Sequence, residues 1–401
     1  MEPQLGWAWL SQRERRAAEQ ALSDLGPDGT RDELGFSVIH FEYADRFFPG
    51  TSVQQTALRY VWFICWSYIE LQQRSPGGVF PKEELARIED RTGHKLISHY
   101  GPEDGHGIIG GRVLRRDPPV SPVLKPSAVY WNAMRSWGLV APLIDAAEPP
   151  GRGEIHGRWD ELTSRRARPE VDPKPARPIF VDPPSPTQRW RAEGEPLSFE
   201  LDDAQDEAEL IRRAWASQRV LGRPTLLSRL AQRRVGAPPS LTSREVLALC
   251  SGDEKVSLRR ARRAGALAAV ARSLHTAMVQ RLKDRSNAAM TDTRRWLDKA
   301  VKDHAADAAQ LDLAGLRADV PDVGKLVTLI EATQAWLADG AGDFLRLESA
   351  YRAREMAQKP GRALLAPTAG DRRAHWEPRE QGPLTYRWER VAAFLNQLVG
   401  E

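Results

Sequence analysis

The chain has 401 residues, of which 41% are hydrophobic and 28% are charged. These proportions are typical of globular proteins with room for two or three domains, and they exclude fibrous, collagenous and wholly disordered classes. With 58 basic and 54 acidic residues, the formal net charge is only +4, so the overall charge does not by itself require a nucleic-acid partner.

The N-terminal third is predicted to be a helical unit that holds six of the chain's 13 tryptophans. An amphipathic pattern predicts a first helix over Ser11–Leu25 and a second over Leu34–Phe47. Ser52 and Gln55 have the spacing of a capping box, which predicts a third helix running to about residue 74. Apolar residues recur along this third helix at steps of three and four, as expected for the central buried helix of a domain.

Two further helices are predicted, over 81–97 and from Pro126 to Gly138, with the glycine-rich segment 101–112 between them. This order of elements resembles part of a winged helix. The glycine-rich segment lacks the Gly-Lys-Ser/Thr ending of a phosphate-binding loop, so a turn is the preferred interpretation. Nearby histidines follow no standard metal-ligand spacing.

Arginines lie among aromatic residues at two places in this unit, at Arg59 and at Arg135. Arginine and aromatic rings together can form a stacking platform for single-stranded bases. Because the aromatic residues follow helical spacing, core packing is the preferred interpretation. The aromatic residues concerned are Trp62, Trp66, Tyr130, Trp131 and Trp137.

A proline-rich linker is predicted at 149–196, with eight prolines between Pro169 and Pro196. Three apolar residues could dock it onto a domain: Ile179, Phe180 and Trp190. The next segment, 193–209, has eight acidic and no basic residues, and its Leu197–Leu201 is expected to be a short strand or a docking segment.

The C-terminal part is predicted to be almost entirely helical. The expected division of the chain is therefore a tryptophan-rich domain at 1–148, the linker at 149–196 and a helical domain at 197–401, a mainly α protein. The helices predicted in the last domain are 204–220, 224–234, 242–250, 256–284, 288–310, 322–338, 342–357 and one from about Leu384 to Leu398.

The strongest candidate binding region is the basic stretch 255–302, which has 13 basic and only three acidic residues. Such an excess can neutralise phosphates and so bind nucleic acid without reading its sequence, and DNA is the expected partner. The alternatives are a solvated helix face and internal pairing with the acidic segment 193–209, which a partner would then displace. The predicted contact residues are Arg259, Arg260, Arg262, Arg263, Arg272, Arg281, Arg294 and Arg295.

An enzymatic alternative is a divergent metal-dependent nuclease, because Asp253-Glu254-Lys255 and Asp172-Pro173-Lys174 match its acidic-x-lysine motif. Neither match has the strand context that such a site needs, so no catalytic residue, metal or cofactor is expected. Cys65 and Cys250 form no cluster, which predicts neither a disulfide framework nor a thiolate zinc site. No signal peptide or membrane-spanning stretch is expected, which favours a cytoplasmic protein without a membrane partner.

Several short motifs of the N-terminal part resemble those of an uncharacterised bacterial family. They are Leu5-Gly6-Trp7, Phe48-Pro49-Gly50-Thr51-Ser52, Gln55-Thr56, Arg59-Tyr60, Phe63 and Trp66-Ser67-Tyr68. The family is a domain of unknown function, and its usual proline is replaced here by Cys65. Its genes are found near helicases, phospholipase-D-like nucleases and antiphage genes. The resemblance implies an accessory, non-catalytic subunit of a DNA-handling or antiphage complex. A pure protein scaffold for a helicase or nuclease is the further alternative.

Overall fold

The protein is mainly α-helical, as predicted. A computed structural model describes residues 32–103, 105–143, 148–163, 177–220, 222–284 and 292–400. Within these ranges there are eighteen α-helices and a single two-stranded antiparallel ribbon, β1 (Arg219–Val220) and β2 (Arg223–Pro224). The predicted helix Ser11–Leu25, the Leu5-Gly6-Trp7 motif and the Asp172-Pro173-Lys174 match lie outside the described residues.

The α-helices are numbered here in chain order. They are α1 (Ser37–Phe47), α2 (Tyr60–Arg74), α3 (Lys82–Tyr100), α4 (Gly111–Leu114), α5 (Pro126–Ser136), α6 (Arg152–Gly157), α7 (Trp159–Thr163), α8 (Gln188–Arg191), α9 (Glu207–Ala216), α10 (Leu226–Gln232), α11 (Arg244–Leu249), α12 (Gly252–Asp284), α13 (Asp292–Ala309), α14 (Leu313–Asp319), α15 (Val327–Ala338), α16 (Glu348–Gln358), α17 (Gly370–Ala374) and α18 (Trp388–Gln397). Short 3₁₀ turns occupy Asp203–Gln205, Pro321–Leu326 and Phe344–Leu347.

The chain divides into two compact units, each built from two separate stretches of sequence. Unit 1 comprises Met1–Ala44 and Ser240–Tyr386, and unit 2 comprises Asp45–Pro239 and Arg387–Glu401. The linear division at 148 and 197 stays a prediction about the chain's domains. No described helix is both long enough and apolar enough to cross a membrane.

Unit 2 is organised around α2, which is buried from Tyr60 to Tyr68 as its periodicity predicted. The helix begins eight residues after Ser52, although the capping-box bond forms, with the Gln55 Oε1 accepting from the Ser52 amide at 3.0 Å. The intervening amides have partners elsewhere, since the Tyr130 hydroxyl accepts from those of Thr56 and Ala57. Because these two amides already have an acceptor, the backbone at Thr56 and Ala57 is satisfied without forming a helix.

The described part of the predicted linker is docked onto unit 2. Its Ile179, Phe180 and Trp190 are buried, which confirms the predicted anchors. The Lys95 ammonium on α3 donates to the carbonyls of Arg189, Trp190 and Ala192, and so fixes the end of α8. Leu197 follows as a docking segment, with its amide donating to the Lys95 carbonyl.

Unit 1 is organised around α12, whose middle turns are almost completely buried. The Tyr386 hydroxyl donates to the Ala261 carbonyl at 2.6 Å, and a Cβ at Gly265 would lie 3.1 Å from the Leu384 carbonyl oxygen. Further along, His275 Nε2 lies 3.0 Å from the buried Glu355 carboxylate. The close approach of the Leu384 backbone leaves little room for a side chain at Gly265.

Candidate nucleic-acid interface

The predicted contact residues lie on α12 and α13, which form an antiparallel pair. α12 begins with a capping box: the Ser251 amide donates to Glu254, and the Glu254 amide donates back to the Ser251 hydroxyl. The antiparallel arrangement follows from Arg262 near the start of α12, which bonds Asp307 near the end of α13. Asp253 and Lys255 therefore lie on the first turns of a helix, without the strand context of a nuclease motif.

The basic stretch does not form one continuous band along α12. Residues 264–279 are buried apart from Arg272, which is partly buried. This places Arg263 and Arg281 about 27 Å apart along the helix axis, at a rise of ~1.5 Å per residue. The predicted contact residues consequently fall into two groups at opposite ends of the helix pair, with Arg272 between them.

At the first end, the arginines face acidic and amide side chains of the following elements. Arg260 pairs with Asp319 and, at 3.3 Å, with Asp312. Arg262 lies 2.8 Å from Asp307. Arg263 donates to Gln310 at 2.7 Å. Arg259 is exposed and forms no ion pair with a described residue.

At the second end, every predicted contact residue has an acidic partner. Arg281 lies 2.7 Å from Glu348, Arg294 lies 3.1 Å from Asp298, and Arg295 pairs with Asp292. Between the two ends, Arg272 donates to the Gly382 carbonyl. Burial lowers the pKa of Arg272 from its ordinary value, against the opposing influence of Asp32.

Three acidic residues just beyond the basic stretch therefore offset part of its excess of ten positive charges. The charge count ends at Lys302, whereas Asp307 follows on α13, Asp312 caps α14 and Asp319 is the last residue of α14. Because α12 and α13 are antiparallel, residues near the end of α13 lie beside the start of α12. A count of charges along the sequence does not contain this topology. Contact between these arginines and nucleic acid stays a prediction, and its electrostatic basis is weaker than the sequence indicated.

The acidic segment and the aromatic residues have structural roles within unit 2. Arg59 is buried and pairs with Glu207 at 2.9 Å, while Glu209 pairs with Arg234 at 3.0 Å. The five aromatic residues considered for a stacking platform are all buried, so core packing is the correct interpretation. The described part of 32–143 has no β-hairpin, which a winged helix requires.

A surface that the sequence did not single out lies on the loop 117–125, which follows α4. Val120, Val123 and Leu124 are exposed there, and Val123 has no neighbour covering it. Ten large apolar side chains are exposed in the described part of the chain, and three of them fall within five positions of this loop. We call the loop 117–125 and these three side chains the loop surface.

The loop surface is held in one conformation by Asp90 on α3. The two oxygens of that carboxylate accept separate bonds, one from the Ser121 hydroxyl at 2.6 Å and one from the Lys125 ammonium. The Val120 amide also donates to the Val113 carbonyl at 3.1 Å, which folds the loop back onto α4. Four prolines between Pro118 and Pro126 restrict the backbone further.

Beside the loop surface, α3 borders a cleft of about 430 Å³. Asp90 belongs to its lining, so the cleft and the loop adjoin. Arg91 lies against the Trp190 ring, 5.6 Å from its centre, and pairs with Glu70 at 2.6 Å. The residues lining the cleft are Arg87, Asp90, Arg91, His94, Lys95, Ser98 and Gly194.

Residues 3–142 match a family of unknown function, DUF6361. This segment includes α3 and the whole loop surface. No curated protein sequence and no solved structure is significantly similar to the chain. Among the described residues, no three His, Cys, Asp or Glu side chains form a group that could hold a metal ion.

Proposed function

We propose that the protein is an accessory subunit that binds a partner protein through the loop surface. The observation that carries this proposal is the cluster of exposed aliphatic side chains at Val120, Val123 and Leu124, held in place by Asp90. Exposed apolar clusters on soluble proteins commonly mark interaction sites. A loop that is already ordered loses little conformational entropy on binding, which favours association.

Within this proposal, the partner is a helicase or nuclease subunit of a cytoplasmic bacterial DNA-handling or antiphage complex. The support is the resemblance described for the N-terminal segment, most of which lies within the match over 3–142 to a family that itself has no known function. The subunit itself is proposed to be non-catalytic. Asp253 and Lys255 lie within a helix, which argues against the nuclease alternative.

Direct nucleic-acid contact is the second candidate, and the exposure of Arg259 favours it. The exposed pairs Arg294–Asp298 and Arg295–Asp292 are of a kind worth only ~0–1 kcal/mol, so phosphate groups can compete with the carboxylates. We rank this candidate second because Asp307, Asp312 and Asp319 already offset the charge at the first end of the helix pair.

The proposal is tested by purifying the tagged full-length protein from its native host, with and without nuclease treatment. Val123→Asp is compared with Val79→Asp, a matched control because Val79 is also in unit 2 and is 93% exposed. Thermal unfolding of both variants verifies that neither substitution disturbs the fold. Co-purifying proteins are quantified by mass spectrometry.

We expect a defined set of proteins to be retained by the wild type and by Val79→Asp, and to be lost from Val123→Asp. Retention should survive nuclease treatment and high salt, since the proposed contact is mainly apolar. If the co-purifying proteins are lost on nuclease treatment, nucleic acid holds them, and direct nucleic-acid contact is then favoured. Equal retention by Val123→Asp and the wild type would refute the loop surface as the binding site.

A further inference from the structure

We infer that the hairpin formed by α9, the ribbon β1–β2 and α10 binds the phosphate backbone of duplex DNA, with the ribbon in the major groove. We call these four elements the arginine hairpin. Residues 210–239 contain seven arginines and no lysine, aspartate or glutamate. The arginine hairpin is separate from the loop surface and from the basic stretch 255–302, and the inference does not depend on the proposed function.

The two helices of the arginine hairpin are antiparallel, which places the ribbon at one tip. The Ser228 hydroxyl near the start of α10 donates to the carbonyl of Ala216, the last residue of α9, at 2.8 Å. At the opposite tip, Arg234 just after α10 pairs with Glu209 near the start of α9 at 3.0 Å. The chain between α9 and α10 is therefore a short turn that projects from the ends of both helices.

Four arginines lie at the ribbon tip. Arg213 is on the last turn of α9, Arg219 is in β1 and Arg223 is in β2, and all three are exposed. Arg229 donates to the Pro224 carbonyl at the end of β2, at 3.0 Å. Among the residues that the structure describes, Arg213 and Arg219 form no ion pair.

The carboxylates of the arginine hairpin lie at the other tip. Glu209 precedes the last residue of α9 by seven positions, which is ~10 Å along the helix axis. Glu207 is completely buried, and the remaining acids of this region, at 202–206, come before α9. The antiparallel neighbour of α9 thus adds arginines at the ribbon tip, whereas the neighbour of α12 adds aspartates.

The helices packed against α9 add no acid to the ribbon tip. Trp137, which follows α5, contacts Trp215 with ring centres 5.3 Å apart, and α5 contains no acidic residue. Arg212 donates to the Leu398 carbonyl beyond the end of α18. The one acidic residue of α18 is Glu389 on its first turn, ~13 Å from that contact along the helix axis.

The shape of this tip fits duplex DNA. Each strand of the ribbon has two residues, which span ~7 Å, and the major groove of B-DNA is ~8.5 Å deep and wide enough for a two-stranded ribbon. The major groove of duplex RNA is too narrow to admit one. The guanidinium group forms paired hydrogen bonds with phosphate, so arginines beside an inserted ribbon can hold the two DNA backbones.

Fluorescence anisotropy with labelled 30-base-pair duplexes of DNA and RNA tests this inference, with the full-length protein at about 50 and about 150 mM salt. The double variant Arg219→Gln, Arg223→Gln removes the charges of the ribbon. The matched control is Arg112→Gln, Arg116→Gln, which removes two exposed arginines elsewhere in unit 2. Circular dichroism and thermal unfolding establish that each variant is folded.

A second variant, Arg213→Gln, keeps the test decisive if the double variant does not fold. The side chain of Arg213 forms no hydrogen bond with a described residue, so its replacement leaves the ribbon intact. Competition by poly-glutamate, a polyanion without phosphate, distinguishes DNA from an acidic protein as the partner.

About three phosphate contacts give a Kd for duplex DNA of about 1 μM at 50 mM salt, weakening about 20-fold at 150 mM. The double variant should bind about tenfold more weakly at 50 mM, with a salt dependence reduced to that of about one contact. Arg213→Gln should bind about threefold more weakly, and the control should stay within about twofold of the wild type. Duplex RNA and poly-glutamate should both bind about fivefold more weakly than DNA, or worse.

Several results would overturn the inference. One is a wild type that does not bind DNA at 50 mM salt. Another is equal binding by the wild type and both arginine-hairpin variants, or an equal loss in the control. Duplex RNA that binds as tightly as DNA would exclude insertion of the ribbon into the major groove. Poly-glutamate that competes as well as DNA would identify an acidic protein as the partner.

Discussion

Asp90→Ala should release the loop surface without unfolding unit 2. The substitution removes the acceptor of the Ser121 hydroxyl and of the Lys125 ammonium, both on the loop. Both bonds have a charged acceptor and would contribute ~1.5–3 kcal/mol each if buried, and the partial exposure of this site reduces both values to about 1 kcal/mol. We therefore expect the free energy of local loop opening to fall by about 2 kcal/mol.

Hydrogen exchange detects this opening at the Val120 amide, which is bonded to the Val113 carbonyl. A loss of about 2 kcal/mol corresponds to roughly 30-fold faster exchange, because ~1.4 kcal/mol is a factor of ten. Ser121→Ala removes the bond to Asp90 and the bond that the Ser121 hydroxyl accepts from Lys125, but it leaves the Lys125–Asp90 pair, so exchange should accelerate only about fivefold. Amides of α2 serve as an internal control and should be unaffected. Unchanged exchange at Val120 in Asp90→Ala would refute the claim that Asp90 orders the loop.

Three other predictions concern acid sensitivity and nucleic acid. Burial favours a raised pKa for Glu355, but the hydrogen bond and charge of His275, together with the amides of Leu364 and Leu365 that donate to the carboxylate, outweigh it and lower the pKa. Glu355→Gln should therefore cost about 3 kcal/mol in urea unfolding at pH 7, and this difference should shrink as the pH falls below ~4.5 and the wild-type carboxylate becomes protonated. Burial, with Arg152 and Lys82, lowers the pKa of His156 to about 3. Between pH ~6.5 and 3, His156 is therefore protonated in the unfolded chain and neutral in the folded one, so protons favour unfolding. The free energy of unfolding of the wild type should fall across this range by about 2 kcal/mol more than that of His156→Gln. For a labelled 30-base-pair duplex we expect a Kd no tighter than about 10 μM at 150 mM salt, and at most a twofold change in Arg259→Glu.

Each of these expectations has an outcome that contradicts it. A Glu355→Gln variant within about 0.5 kcal/mol of the wild type at pH 7 would show that the buried pair with His275 adds little. Parallel pH profiles for His156→Gln and the wild type would remove His156 as a source of acid sensitivity. Submicromolar, steeply salt-dependent DNA binding that is lost in Arg259→Glu would restore the predicted nucleic-acid interface.

Helical periodicity predicted the fold class and most helices of the C-terminal half, because apolar residues recur there at steps of three and four with few interruptions. The predicted 256–284 corresponds to Gly252–Asp284, and the predicted 322–338 ends at Ala338 as observed. The start of α2 was placed too early. A capping-box bond between Ser52 and Gln55 is a local feature, whereas the hydroxyl that takes up the following amides belongs to Tyr130, far away in sequence.

The binding surfaces were less predictable than the helices. A count of charges along 255–302 contains no information about which acidic residues an antiparallel neighbour returns to the same place, so Asp307 and Asp319 were overlooked. The loop surface is a short run of proline, valine and leucine, a composition that also suits a buried segment. Its significance depends on exposure and on the tertiary bonds of Asp90, which no local pattern in the sequence shows.

The arrangement of unit 2 has a consequence for its synthesis on the ribosome. Its last helix, α18, supplies the Gln397 acceptor for the Leu58 amide and the Asn396 acceptor for the Ala237 amide. The Phe394 ring also packs beside Trp215. These contacts join residues more than 150 positions apart, so the surface of unit 2 that α18 covers stays open on the nascent chain until α18 itself has been synthesised. Fragments that end at Pro239, the last residue of the first stretch of unit 2, lack α18. They would expose the apolar surface that α18 covers and would depend on chaperones to avoid aggregation.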